Sequence, residues 1–234
     1  MKIKTEISAS QDHEHNIRGK PLGDLIRNHS FVETLFLLFR GNMPNKAEED
    51  LLNALLVSAA EHDIEAPSLF VPRISTSVGN PPQAALAAGI LSIGPSHGGA
   101  GWEAARLLAG PETPQEIVTR FLKEHAPIPG YGHRIYKDAD PRVSVIEEKI
   151  RVSGVSGTHF DRARAIEKEL ATQKGKHIPL NIDGAFAACV LDLGFAPETA
   201  LELFILARIA GMSAHINEER QQHNPYYRLE NGSL

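Results

Sequence analysis

From Pro21 to Gln222 the apolar positions recur mostly at the three-and-four spacing of helices that bury one face. Before that, residues 2–9 alternate weakly and predict a short extended start. Residues 10–19, "SQDHEHNIRG", read as polar loop. "PLGDLIRN" at 21–28 predicts a short turn of helix. "SFVETLFLLFRGNMP" at 30–44 predicts a longer one, capped by Ser30 and stopped by Gly-Asn-Met-Pro. "NKAEEDLLNALLVSAAEH" at 45–62 opens on an Asn cap and an acidic first turn, the charge a helix N-terminus favours. "PPQAALAAGILSIG" at 81–94 is rich in alanine and other small residues and predicts a buried helix that neighbours approach closely.

Past the glycine cluster "GPSHGGAG" comes "WEAARLLAG" and then "TPQEIVTRFLKEHA", where Thr113, Pro114 and Glu116 form a capping box with proline at the first helical position. "DPRVSVIEEKIR" begins with Asp140 as cap and Pro141 behind it. "THFDRARAIEKELATQ" is amphipathic, "KHIPLNIDG" reads as a short extended piece, and "APETALELFILARIAGMSAHINEERQQ" is one long helix. Helical patterns cover well over half of the chain with no α/β alternation, so the predicted class is all-α. Residues 104–186 are more charged than their flanks. They predict a smaller helical domain inserted between the halves of a larger one, residues 1–103 and 187–234.

Composition narrows the partners. The chain has 234 residues, 42% hydrophobic, with a net charge of −5 and no block of like charge, which disfavours nucleic acid. One cysteine, Cys189 in the apolar run "GAFAACVLDLG", excludes an internal disulfide framework and reads as a small buried side chain. No apolar signal core and no run of 18 apolar residues occurs, so a cytoplasmic protein without membrane contact is expected.

Three segments place an ionisable group at a tight turn beside an apolar helix: His97 in "SIGPSHGGAG", His133 in "GYGHRIYKDADPR", and Asp183 in "LNIDGAFAA". Each has a plain structural reading. Either histidine could be satisfied by backbone in its turn, and Asp183 could be an N-cap. Together, two imidazoles and one carboxylate are the parts for acid–base work on a carbon acid. The carboxylate can take a proton from carbon, one imidazole can hydrogen-bond the developing enolate, and the other can protonate or deprotonate an oxygen. No metal site is expected: no HExxH or comparable ligand spacing occurs, and His13 and His15 in "DHEH" read as solvated. Serine-hydrolase, P-loop and dinucleotide-binding signatures are absent as well.

"GPSHGGAGWEAARLL", "PIPGYGHRIYKDADPRV", "NIDGAFAACVL" and "ARIAGMSAHINEERQ" resemble, in this order, the signature segments of the citrate synthase superfamily. The stretch from "NIRGKPLGDLIRN" to "GNMP" resembles that family's N-terminal segment, so the resemblance spans nearly the whole chain. It implies an all-helical, two-lobed, citrate synthase-like fold and a C–C bond made or broken between an acyl-CoA and a 2-oxo acid.

Carried over by position, the resemblance makes His97 the stabiliser of the acetyl-CoA enol and Asp183 the base at its methyl group. His133 becomes the histidine acting on the oxaloacetate carbonyl, and it or a neighbour takes the hydroxyl proton when citryl-CoA is cleaved. Arg142 and Arg208 become carboxylate clamps, which suits the planar guanidinium fork. His62 becomes a substrate-binding histidine, and the backbone of Pro129, Gly130, Tyr131 and Gly132 approaches CoA. The family's cross-subunit arginine maps to Arg228, with Arg220 in reserve.

Size and the "GILSIGPSHGGA" core are most similar to citryl-CoA lyases and to the matching module of ATP citrate lyase. The expectation is therefore cleavage of citryl-CoA to acetyl-CoA and oxaloacetate, with coenzyme A thioester as substrate and no permanently bound cofactor. A citrate or methylcitrate synthase and a non-catalytic CoA-binding scaffold are the alternatives. The resemblance also implies a homodimer or homotetramer, to which Phe204, Ile205, Leu206, Ile209 and Met212 of the last helix would contribute unless they are core, and a separate ligase that forms citryl-CoA.

Overall fold

The computed structural model describes residues 4–11 and 14–228. Among them, eleven α-helices follow a small antiparallel sheet. The sheet comprises β1 (Ser8–Gln11), which overlaps the predicted extended start, β2 (Glu14–Ile17), where polar loop was predicted, and β3 (Lys20–Pro21). Ile17 pairs with Lys20 across Arg18 and Gly19, both at positive φ (47° and 77°), the geometry of a two-residue hairpin turn. The Arg18 guanidinium donates to Leu38 O at 3.2 and 3.1 Å and pins this sheet to the helix behind it. His15 shares a 2.9 Å hydrogen bond with Ser10, and His13 lies outside the described residues.

The helices are α1 (Leu22–Asn28), α2 (Phe31–Arg40), α3 (Lys46–Ala60), α4 (Pro67–Ser77), α5 (Pro82–Leu91), α6 (Ala100–Ala109), α7 (Pro114–Lys123), α8 (Pro141–Ser153), α9 (Thr158–Lys174), α10 (Ile182–Asp192) and α11 (Thr199–Gln222). Ser30, Asn45 and Thr113 each close a reciprocal capping box, as their sequence contexts require. α4 was not legible in the sequence because Pro72 lies inside it, where proline ordinarily interrupts a helix.

α10 is the centre of the fold, with every residue from Gly184 to Leu191 buried, Cys189 included. α6, α9 and α8 pack on it, and one apolar core runs on through α2, α3, α7 and α11. That core continues across residues 104–186. α11 is long and apolar enough to cross a bilayer, yet Leu203, Ala207, Met212 and Ile216 are buried in packing against α3, α4, α5 and α6. α5 departs from its predicted burial: Ala85 and Gly89 are buried, but Leu91 stands 84% exposed.

Candidate active site

A cleft of about 220 Å³ opens over the N-terminus of α10. It collects His62, His97, His133, Arg142, Asp183 and Arg208, six residues the sequence had singled out across nearly 150 positions. All but Arg208 arrive on a helix end or a tight turn. Asp183 sits in the first turn of α10, His97 precedes α6, Arg142 opens α8, His62 follows α3, and Arg208 faces in from α11.

Asp183 is not the cap of its helix. Asn181 holds that position, its Oδ1 accepting from the amides of Asp183 (3.0 Å) and Gly184 (3.1 Å). The Asp183 carboxylate is thus free of the capping role the plain reading gave it. Burial pushes this carboxyl up, against the pull of Arg142 and Arg208, and a base made stronger by desolvation suits proton abstraction.

The turn carrying His97 is closed by Gly94 N to His97 O (2.8 Å), His97 N to Gly94 O (2.9 Å) and Gly99 N to Gly94 O (3.0 Å). Its glycines are dictated by contact: a Cβ on Gly99 would lie 2.7 Å from Gly94 O. His97 Nε2 accepts from Ser68 N at 3.3 Å and lies 2.8 Å from Ser68 Oγ, so its proton rests on Nδ1. Ser68 is fully buried in the first turn of α4, where helix amides have no partner of their own. Sequence reading missed this residue along with its helix.

His133 is fixed the opposite way round. Its Nδ1 accepts from the amides of Ile135 and Tyr136, both at 3.1 Å, and its ring stacks on Tyr136. Nε2 lies 3.4 Å from Arg142 Nη2, but two closer backbone donors outweigh that one, so Nε2 carries the proton. His62 Nδ1 faces Arg142 Nη1 at 3.3 Å and likewise accepts. Burial first, then the neighbouring guanidinium groups, lowers the pKa of all three imidazoles and keeps them neutral. The cleft therefore presents imidazole N–H donors around a single basic carboxylate. With Nδ1 accepting from the backbone, His133 is set to donate from Nε2, which favours a neighbour over His133 as acceptor of the hydroxyl proton.

The two arginines differ in their bonding. Asp140 holds Arg142 in a two-point pair, Nε to Oδ1 at 2.9 Å and Nη2 to Oδ2 at 2.7 Å. Arg208 is 3% exposed and donates from Nε to Ala59 O at 2.8 Å, while its Nη1 is buried without a partner. A buried guanidinium N–H left unpaired calls for an anion in the cleft.

Pro129–Gly132, the stretch expected to approach CoA, is tied into the fold by its backbone. Gly130 O accepts from Asn181 N (3.0 Å), Gly132 N donates to Pro179 O (2.7 Å), and Gly132 O accepts from Asn181 Nδ2 (2.8 Å). The Tyr131 hydroxyl donates to Ala163 O on α9. These hydrogen bonds clasp the His133 turn to the start of α10. A Cβ on Gly130 would lie 2.8 Å from Gly184 Cα, and one on Gly184 2.6 Å from Gly130 O, so the two glycines face each other. Arg220 and Arg228 are exposed and away from this cleft, and Arg228 donates to the Tyr226 hydroxyl at 3.2 Å. Among the described residues no cluster of three His, Cys, Asp or Glu could hold a metal ion.

Fold and cleft together define an all-helical protein built for acid–base chemistry on an anionic substrate. Residues 44–230 match the family model "Citrate synthase, C-terminal domain", and the chain belongs to the citrate synthase family. It superposes on citryl-CoA lyase from Hydrogenobacter thermophilus with a TM-score of 0.92 at 37% identity, covering 97% of this chain and 91% of that one. Against citrate synthase from Pyrobaculum aerophilum the TM-score is 0.69 at 26% identity, over 85% of this chain and 51% of the other. Among curated relatives, ATP-citrate synthase subunit 1 of Sordaria macrospora is 29% identical over 95% of this chain but only 36% of its own length. The chain thus spans little more than a third of that relative.

Proposed function

We propose that the chain is a citryl-CoA lyase, cleaving citryl-CoA to acetyl-CoA and oxaloacetate. The observation that carries this reading is one basic carboxylate, Asp183, in a cleft whose other ionisable groups are donors: neutral imidazoles and a guanidinium with an unpaired N–H. The Asp183 carboxylate takes the proton of the substrate's hydroxyl. His133 Nε2–H and Arg142 face the resulting alkoxide, whose electron pair forms the carbonyl of oxaloacetate as the C–C bond breaks. The electrons of that bond become the thioester enolate, held by His97 Nδ1–H. Asp183 then returns the proton to the enolate carbon. Protons balance, and the carboxylate ends as it began. Arg142, Arg208 and His62 receive the carboxylates.

The superposition on a citryl-CoA lyase, at TM-score 0.92 and 37% identity against 0.69 and 26% for a citrate synthase, favours cleavage over a synthase that must also hydrolyse the thioester in a closed site. The proposal includes residues 104–186 as the lobe that closes on substrate. It also includes a homodimer or homotetramer in which Arg228 reaches a neighbour's cleft, and a separate ligase that supplies citryl-CoA.

Release of oxaloacetate from citryl-CoA, without rapid CoA release from acetyl-CoA plus oxaloacetate, is the expected result. Rapid CoA release means a synthase, and neither activity means a scaffold. Asp183→Asn should lower the rate by about 10³-fold or more while leaving helical content unchanged. Because Asp183 must start ionised and its pKa is raised, wild-type activity should fall as pH drops through a limb above the ordinary carboxylate range. A limb at ordinary carboxylate pH, or undiminished turnover in Asp183→Asn, removes Asp183 from this role.

A further inference from the structure

As an N-cap, Asp140 needs one oxygen: Oδ1 accepts from Arg142 N at 3.0 Å. A serine would do that as well. Yet this carboxylate is fully buried and makes three more contacts, which a cap does not require. Oδ1 also takes Arg142 Nε at 2.9 Å, and Oδ2 takes Arg142 Nη2 at 2.7 Å and the amide of Ile182 at 3.2 Å. Burial alone would raise its pKa, but the Arg142 guanidinium outweighs burial and keeps it ionised. Ile182 immediately precedes Asp183. One oxygen atom is therefore shared between the guanidinium at one wall of the cleft and the peptide that carries the base at another. The same pair fixes which edge of Arg142 is spent on protein, leaving Nη1 turned toward His62.

We propose that Asp140 is a positioning residue: one buried carboxylate sets Arg142, the substrate-carboxylate clamp, and Asp183, the base, in fixed register. The proposal rests on the lyase reading for its kinetic measurement but not for its structural one.

Asp140→Ser keeps a hydroxyl cap for Arg142 N and removes the other three contacts. Asp140→Asn keeps the volume but turns an N–H₂ toward donors, and serves if the serine variant does not fold. In citryl-CoA cleavage, either should lose about 10²-fold in kcat/KM, mostly through KM, since small misplacements in a site cost this much. In an Arg142→Ala background the same substitution should cost at least several-fold less, because only the Ile182 contact remains to be lost. Equal losses in both backgrounds, or unchanged kcat/KM with only a lower Tm, overturn the proposal.

Wild-type protein that releases no oxaloacetate defeats the lyase reading instead. The coupling is then read without substrate, by amide exchange at Ile182 and by the NMR titration of the Asp183 carboxyl. Faster exchange is expected in the variants, together with titration at lower pH, since the Asp140 charge adds to the burial that holds the Asp183 pKa up. Neither change appearing overturns the proposal.

Discussion

The two histidine turns reach the same end by different means. His133 takes its tautomer from amides two and three residues further along its own loop, so the turn carries its own hydrogen-bond lock. His97 takes its tautomer from Ser68, on another helix 29 residues earlier. The first imidazole depends on local backbone geometry, and the second on how α4 packs. The glycines differ in the same sense. Gly130 opposes backbone, Gly184 Cα at 2.8 Å from its would-be Cβ, whereas Gly98 opposes a side chain, Phe204, at 2.6 Å. Side chains can rotate away from an added methyl group, and backbone cannot.

The largest expected effect tests whether the two turns are chemically equal. His97→Ala and His133→Ala should each lower kcat for citryl-CoA cleavage by about 10²–10³-fold, the usual cost of losing one aimed donor. A tenfold or greater difference between them would break the equivalence. Next in size is stability. Gly130→Ala, at φ 87° and against backbone, should cost about 1–3 kcal/mol of overpacking, roughly 2–4 °C in Tm per kcal/mol. Gly98→Ala, at φ 79°, should cost less, because Phe204 can turn into the open cleft. Thermal unfolding of the two variants side by side decides this, and an equal loss would mean the positive φ, not the contact, dominates. Smallest is Ser68→Ala, which removes the hydroxyl and leaves the amide. About 0.5–1.5 kcal/mol is at stake, a factor of about ten or less in kcat, confined to steps that use His97. A change in oxaloacetate affinity instead would show that Ser68 acts beyond His97.

Helix caps were legible because the bonds they make are local. Ser30, Asn45, Thr113 and Asp140 each bond an amide two or three residues on, so residue type and spacing suffice. The hairpin at Arg18-Gly19 was missed although its Gly signal was present, because the flanking residues lack apolar alternation. α4 was missed because Pro72 argues against a helix that tertiary packing nevertheless sustains, with Ser68 and Leu69 fully buried. The predicted burial of α5 failed because small apolar residues show that close packing is possible without showing which face receives it.

Site identity followed the same division. Residue types at tight turns singled out His97, His133 and Asp183, the family resemblance added His62, Arg142 and Arg208, and all six share one cleft. The all-helical class was legible as well, because amphipathic period and caps are properties of consecutive residues. Only the tertiary structure decided which nitrogen of each imidazole holds the proton, and that Asn181, not Asp183, caps α10. It alone decided that Pro129–Gly132 serves as a clasp and that Asp140 bonds Ile182 as well as Arg142. The His97 tautomer, the clasp and the Asp140–Ile182 bond depend on atoms brought in from distant segments by packing that no local stretch encodes. The His133 tautomer and the Asn181 cap are local bonds whose choice among neighbouring candidates only the folded backbone settles.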